Sequence, residues 1–196
     1  MMSCGADKIA INSSSIQASS LINEASSKFG SQCVVISIDA IKSENKYKVY
    51  DYINKKPINI SPLEHAKKSI KLGAGEIFIN SVDRDGSYLG FDLELIKPMT
   101  QLNVPVVCCG GAKNAKDFNL IFKNSKVSGA AAANFFHFTE HSVIITKAAI
   151  ENKNEIRIET HADYSESKFD THYRLTKKSE KRLNQLLNIK IEKEII

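Results

Sequence analysis

Five short apolar runs, each ending in polar or small residues and each followed by a longer amphipathic stretch, constrain this 196-residue chain more than any other feature. The runs are KIAIN (8–12), CVVISID (33–39), EIFINS (76–81), VPVVCCG (104–110) and GAAAAN (129–134). Helical patterns lie between and after them, at 16–29, 62–73, 92–102, 115–124 and 140–153. Strands that are apolar on both faces and separated by helices predict an α/β fold around a parallel sheet. Pro62 at the start of one helix and Gly73 at its end fit the usual asymmetry of helix termini. One stretch breaks the rhythm: KSENKYKVYDYINKKPI (42–58) alternates aromatic and polar residues, which predicts a small hairpin after the second strand. The tail at 176–196 reads as an amphipathic helix leading into an alternating strand, its lysines forming a solvated face.

The chain also repeats itself. GADKIAINS (5–13) and GAGEIFINS (73–81) match at Gly, Ala, Ile, Ile, Asn and Ser in one register, which indicates a repeated βα unit. Strand alternation puts Lys8, Ala10 and Asn12 on one face, and Glu76, Phe78 and Asn80 likewise. Ile9, Ile11, Ile77 and Ile79 then face the covering helices. The C-terminal strand ends gather Asn12, Asp39, Asn80, Gly110 and Gly111, the place where parallel α/β enzymes put their chemistry.

Composition excludes several classes. With 42% hydrophobic residues the chain can bury one core, as one domain or one with an appendage. No apolar run reaches the ~18 residues that span a bilayer, and the N-terminus lacks a secretory pattern. Cys4, Cys33, Cys108 and Cys109 have neither metal nor disulfide spacing and suit a reducing cytoplasm. The net charge of +5 is spread among acidic residues, so no nucleic-acid partner is expected. His137 and His141 are four apart without a third ligand nearby, and the same holds for HADYSESKFDTH (161–172), so neither metal nor cofactor is expected.

Three motifs admit two readings each. INSVDRDGSYLG (79–90) carries Asp83 and Asp85 at a strand end, as a surface turn or as the mouth of an active site. CCGGA (108–112) offers bare backbone amides at a helix start, for a phosphate or for a tight turn. Asp39 closes the apolar VVISID as a desolvated acid–base group or as a solvated strand end.

Together GADKIAIN, FGSQCVVISIDA, GAGEIFINSVDRDGSYLGFDLELI, VPVVCCGGA and FFHF resemble one family closely: the cyclase subunit of imidazole glycerol phosphate synthase, from histidine biosynthesis. The likeness covers about residues 5–160. It implies an eight-stranded (βα)8 barrel of two similar halves, which would account for the repeat. It also implies a glutaminase partner docked at the bottom of the barrel, whose ammonia reaches a bisphosphorylated substrate at the top. Two aspartates serve as acid and base in the family; SIDA puts Asp39 at one of these positions. DRDG puts Asp85 near the reacting centre and Gly86 beside a phosphate. Asn12, Ser13, Gly111, Ala133 and Asn134 match phosphate-contacting positions, with Asn80 and Gly110 alongside. Lys8 and Glu76 match a charged ring at the ammonia entrance. Asn80, Cys109 and Asn134 depart from the Thr, Ser and Ser more usual in the histidine enzyme, which favours a similar paralogue for sugar amidation in surface-polysaccharide synthesis.

The chain enters the family pattern just before the fourth strand. The expectation is therefore a partial (βα)8 TIM barrel, strands four to eight with their helices, over 1–160. A C-terminal extension of helix and strand would occupy 161–196. Such a fragment would be inactive alone, and a non-catalytic fragment is the third reading.

Overall fold

Strand-forming and helix-forming stretches alternate as the apolar pattern requires. The computed structural model describes residues 2–137, 141–150, 156–157, 164 and 166–186. The strands are β1 (Ile9–Ile11), β2 (Val34–Ser43), β3 (Lys46–Asp51), β4 (Lys56–Pro57), β5 (Glu76–Ser81), β6 (Val106–Cys109) and β7 (Gly129–Ala131). The helices are α1 (Ser13–Gln17), α2 (Ser20–Phe29), α3 (Pro62–Lys71), α4 (Leu93–Met99), α5 (Ala115–Asn124), α6 (Asn134–His137), α7 (Ser142–Ala149) and α8 (Glu180–Leu186).

Five strands run parallel in the order β1, β2, β5, β6, β7, with β3 and β4 added as the predicted hairpin. The result is an α/β fold with a mostly parallel sheet and helices against it, compatible with a TIM-barrel-like fold. Val34, Ile36, Ile38 and Ala40 of β2 alternate with Ile77 and Ile79 of β5 to form one buried face. Ile22 and Ala25 of α2, Ala66 of α3, Leu95, Ile96 and Met99 of α4, and Phe118 and Ile121 of α5 complete that core. A capping box closes α3 at Ser61 and Glu64 behind Pro62, and another closes α5 at Asn114 and Asp117.

Three expectations change. The pattern over 16–29 folds as two helices, because Ala18 leaves helical backbone geometry and the Ser15 hydroxyl turns back to the carbonyl of Asn12. The second strand does not stop at Asp39. Its first part pairs with β1 over Val34–Ile36, and its last part pairs antiparallel with β3 over Ala40–Ser43. The two-residue turn Glu44–Asn45, at φ 53° and 61°, returns the chain and lets β2 run on. Asp39 thus marks the change from parallel to antiparallel pairing. Finally, the strand expected at 129–134 covers Gly129–Ala131 only, and Asn134 opens α6.

The tail helix is present as α8, and the strand expected after it lies outside the described residues. Among the described residues no helix is long and apolar enough to cross a membrane.

Candidate active site at the strand ends

The open face of the sheet, opposite the helices, carries the polar strand-end residues. Asp39 is 6% exposed there. Its Oδ2 accepts from Asn12 Nδ2 at 2.6 Å, and its Oδ1 accepts from Asn80 Nδ2 at 3.0 Å. The geometry follows from register. Asp39 lies directly beside Asn80 in the β2–β5 ladder, and Asn12 follows β1 on the other flank. The two copies of the repeat therefore grip one carboxylate from both sides. A carboxylate can only accept, so both amides must present nitrogen to it. That choice leaves Asn80 Oδ1 buried without a hydrogen-bond partner and turned towards Gly110.

A second cluster adjoins the first. Asp85, Gly86, Cys109, Gly110, Gly111, Ala133 and Asn134 line one shallow notch beside the ends of β5, β6 and β7. The two clusters are in electrostatic reach of each other. Burial pushes the Cys109 thiol up, and the charges of Asp85 and Asp39 add to the effect. Cys109 is the register partner of Asn80. Gly110 and Gly111 have φ of 97° and 99°, so both the turn and the close approach need glycine. A Cβ on Gly110 would lie 2.6 Å from the carbonyl oxygen of Ser81.

The two carboxylates of the DRDG loop divide in role. Asp83 Oδ2 accepts from the backbone N–H of Lys42 at 2.6 Å and ties the loop to β2. Arg84 Nη1 donates to the carbonyls of Leu89 at 2.9 Å and Gly90 at 3.4 Å, bracing the same loop. Asp85 is left at the notch. The loop is at once a turn and one wall of the site.

Lys8 and Glu76 sit on the same open face at the other end of the strands, where they form an ion pair across β2. Lys8 is half exposed and Glu76 is 16% exposed. Ser13 opens α1 next to Asn12 and lines neither cluster.

Two tyrosines join the site without having been singled out in the sequence. Asn134 Nδ2 donates to Tyr88 Oη at 2.6 Å. Tyr52, beyond β3, stacks edge-on against Tyr50 at 4.8 Å, and burial followed by the charges of Asp39 and Asp85 raises its pKa. The β2–β3 register continues to Tyr50 opposite Asp39, so Tyr50 and Tyr52 share its face. The aromatic alternation of residues 42–58 held that signal, but only the register says which face it uses.

A larger cavity, about 530 Å³, lies between the start of α5, α7 and residues 172–175, and it shares only Phe135 with the notch. Among the described residues no group of three or more His, Cys, Asp or Glu is placed to hold a metal ion.

The family profile described as "Histidine biosynthesis protein" matches residues 1–142. The imidazole glycerol phosphate synthase subunit HisF of Streptococcus mutans is 42% identical over 160 residues, covering 80% of this chain and 64% of the relative. A protein of Vibrio vulnificus named putative imidazole glycerol phosphate synthase subunit hisF2 is 38% identical over 175 residues, or 87% of this chain and 63% of its own length. The HisF subunit of Chloroherpeton thalassium is 40% identical over 150 residues, covering 76% and 60%. The chain thus spans a little under two thirds of these relatives.

Proposed function

The chain belongs to the histidine biosynthesis protein family, and from that premise we propose that its strand ends supply catalytic and phosphate-binding groups of an imidazole glycerol phosphate synthase cyclase. In this reading the protein contributes strands four to eight of a (βα)8 barrel over 1–160, with 161–196 as an extension. The reaction joins ammonia from a glutaminase subunit to a bisphosphorylated substrate. Ring closure gives imidazole glycerol phosphate and an aminoimidazole carboxamide ribotide.

The observation that carries the reading is the amide clasp on Asp39. Both its oxygens are fixed by Asn12 and Asn80, so the carboxylate is aimed before any ligand arrives. Each oxygen keeps a lone pair with which to take a proton from the reacting nitrogen or return one to the leaving group. Asp85 faces the same notch as the second acid–base group. The backbone amides of Gly86, Gly110 and Gly111, with Ala133 and Asn134 opposite, suit the oxygens of one phosphate. Asn12 and Ser13 would serve the other phosphate, at the start of α1. The Lys8–Glu76 pair stands at the opposite end of the strands, where ammonia from the partner would enter.

The test has two parts. Phosphate titrated into the chain as it stands should shift the backbone amide signals of Gly110, Gly111, Ala133 and Asn134 in ¹⁵N spectra. For turnover, the chain is supplemented with the part of the Streptococcus mutans relative that the match leaves uncovered. Asp39→Asn should then lower ammonia-dependent cyclisation on the order of 10²–10⁴-fold. Turnover near the unmutated rate would sink the assignment of Asp39.

A further inference from the structure

We propose that the buried pair Ser15 and His65 is a positioning relay that holds Asn12, and through it the carboxylate of Asp39, in place; the proposal rests on reading Asp39 as the acid–base group. Ser15 is 2% exposed and His65 5% exposed, on α1 and α3 respectively. Ser15 Oγ lies 2.6 Å from the carbonyl oxygen of Asn12 and 3.0 Å from His65 Nε2. Asn12 Nδ2 in turn reaches Asp39 Oδ2 at 2.6 Å.

The proton order follows from valence. A hydroxyl carries one proton and a carbonyl oxygen only accepts. The Ser15 proton therefore goes to Asn12, leaving the lone pairs of Oγ for His65. His65 must then carry its hydrogen on Nε2 and donate it to Ser15. Burial lowers the pKa of His65, and the charge of Lys68 acts the same way, so the ring is neutral at neutral pH with its one hydrogen on Nε2. The chain reads His65 Nε2–H to Ser15 Oγ–H to Asn12 C=O, each group donating to the next.

The asymmetry of the clasp explains why Asn12 needs this and Asn80 does not. Asn80 belongs to a six-residue strand bonded on both sides, to β2 and to β6. Asn12 follows a three-residue strand whose partner among the described strands is β2 alone. It then enters a five-residue helix without a side-chain cap, too short to hold itself. The relay ties that loose corner to the ten-residue α3, which is anchored by its own capping box.

The test uses the full chain and does not depend on turnover. Long-range ¹H–¹⁵N spectra at pH 7 should show His65 neutral with Nε2 protonated; the Nδ1–H form would overturn the proton order. His65→Leu and Ser15→Ala should each speed solvent exchange of the Asn12 side-chain amide on the order of fivefold, the equivalent of one hydrogen bond, while Asn80 stays unchanged. His65→Gln, which places an N–H at the same point, should restore the slow exchange. Were His65→Leu unable to fold, Ser15→Ala would still cut the relay. Unchanged Asn12 exchange in the folded variants, or failure of Gln to restore it, refutes the relay. The Asp39→Asn turnover result stands apart from these spectra, so the two readings fail separately.

Discussion

Gly111→Ala is the perturbation on which the geometry bears most sharply. The residue has φ of 99°, and its carbonyl accepts from Gly90 N–H at 2.8 Å. A Cβ added there would lie 2.3 Å from Gly90 O, 2.9 Å from Gly90 C and 3.1 Å from Arg84 Cβ. The closest of these atoms belong to the main chain and cannot swing aside as a flexible side chain would. Positive φ costs an L-residue about 1–2 kcal/mol. Relieving the overlap adds about 1–3 kcal/mol, and parting Gly90 from Gly111 forfeits a hydrogen bond worth about 1 kcal/mol. The loss is then roughly 3–5 kcal/mol, a large share of the ~5–15 kcal/mol that holds a typical domain.

Gly86→Ala is the internal control. Its φ is 71°, also positive, but nothing lies within 4 Å of the added carbon. It should lose only about 1–2 kcal/mol. Urea unfolding followed by circular dichroism reads the difference. With a slope of about 2 kcal/mol per molar, the Gly111 midpoint should fall by about 2 M and the Gly86 midpoint by well under 1 M. Equal shifts for the two variants would refute the reasoning. The same clash makes Gly111 a poor reporter on phosphate affinity. The expectation that a bulky residue there would spare the fold gives way, and Asn134→Ala becomes the cleaner substitution.

Tyr47 donates to the buried carboxylate of Asp92 at 2.9 Å, so Tyr47→Phe should cost about 1–3 kcal/mol in the same assay. Burial, then the hydrogen bond and charge of Asp92, raise the Tyr47 pKa strongly. The folded state holds that proton more tightly, so the stabilisation is complete below the unfolded value of about 10 and fades as pH rises through and above it. The gap between wild type and Tyr47→Phe should therefore narrow above about pH 10; a gap independent of pH there would contradict the sign. Lys8→Ala removes a half-exposed ion pair and should change stability by less than about 1 kcal/mol. In complex with a glutaminase it should lower glutamine-driven turnover more than turnover with free ammonia, and equal losses would count against an ammonia entrance.

The alternation of strands and helices was legible in the sequence because each apolar run is short, β-branched and bounded by its own cap or turn residues. So was the face on which Asp39, Asn12 and Asn80 lie, since a period of two needs no tertiary knowledge. What escaped depended on pairing between distant segments. The length of β2 is set by β3, whose contribution becomes visible only once the Glu44–Asn45 turn folds it back. The separation of Asp83 from Asp85 depends on the amide of Lys42, 41 residues away from Asp83. Ser15 and His65, 50 residues apart, look in the sequence like an ordinary helix serine and a lone histidine. Tyr52 and Tyr88 likewise reach the site from loops whose path no local pattern dictates.

The placement of the repeated segments on the two flanks of β2 has a bearing on descent. A copied segment inserted across a strand from its original brings its final asparagine to the same point from the other side, with no further change of sequence. The amide grip on Asp39 needs no independent origin for each hand; duplication alone delivers it. Divergence then shows where the copies carry different residues in one position. Lys8 and Glu76 are the same place in the ancestral unit, and they have become opposite charges because each now has the other as its neighbour.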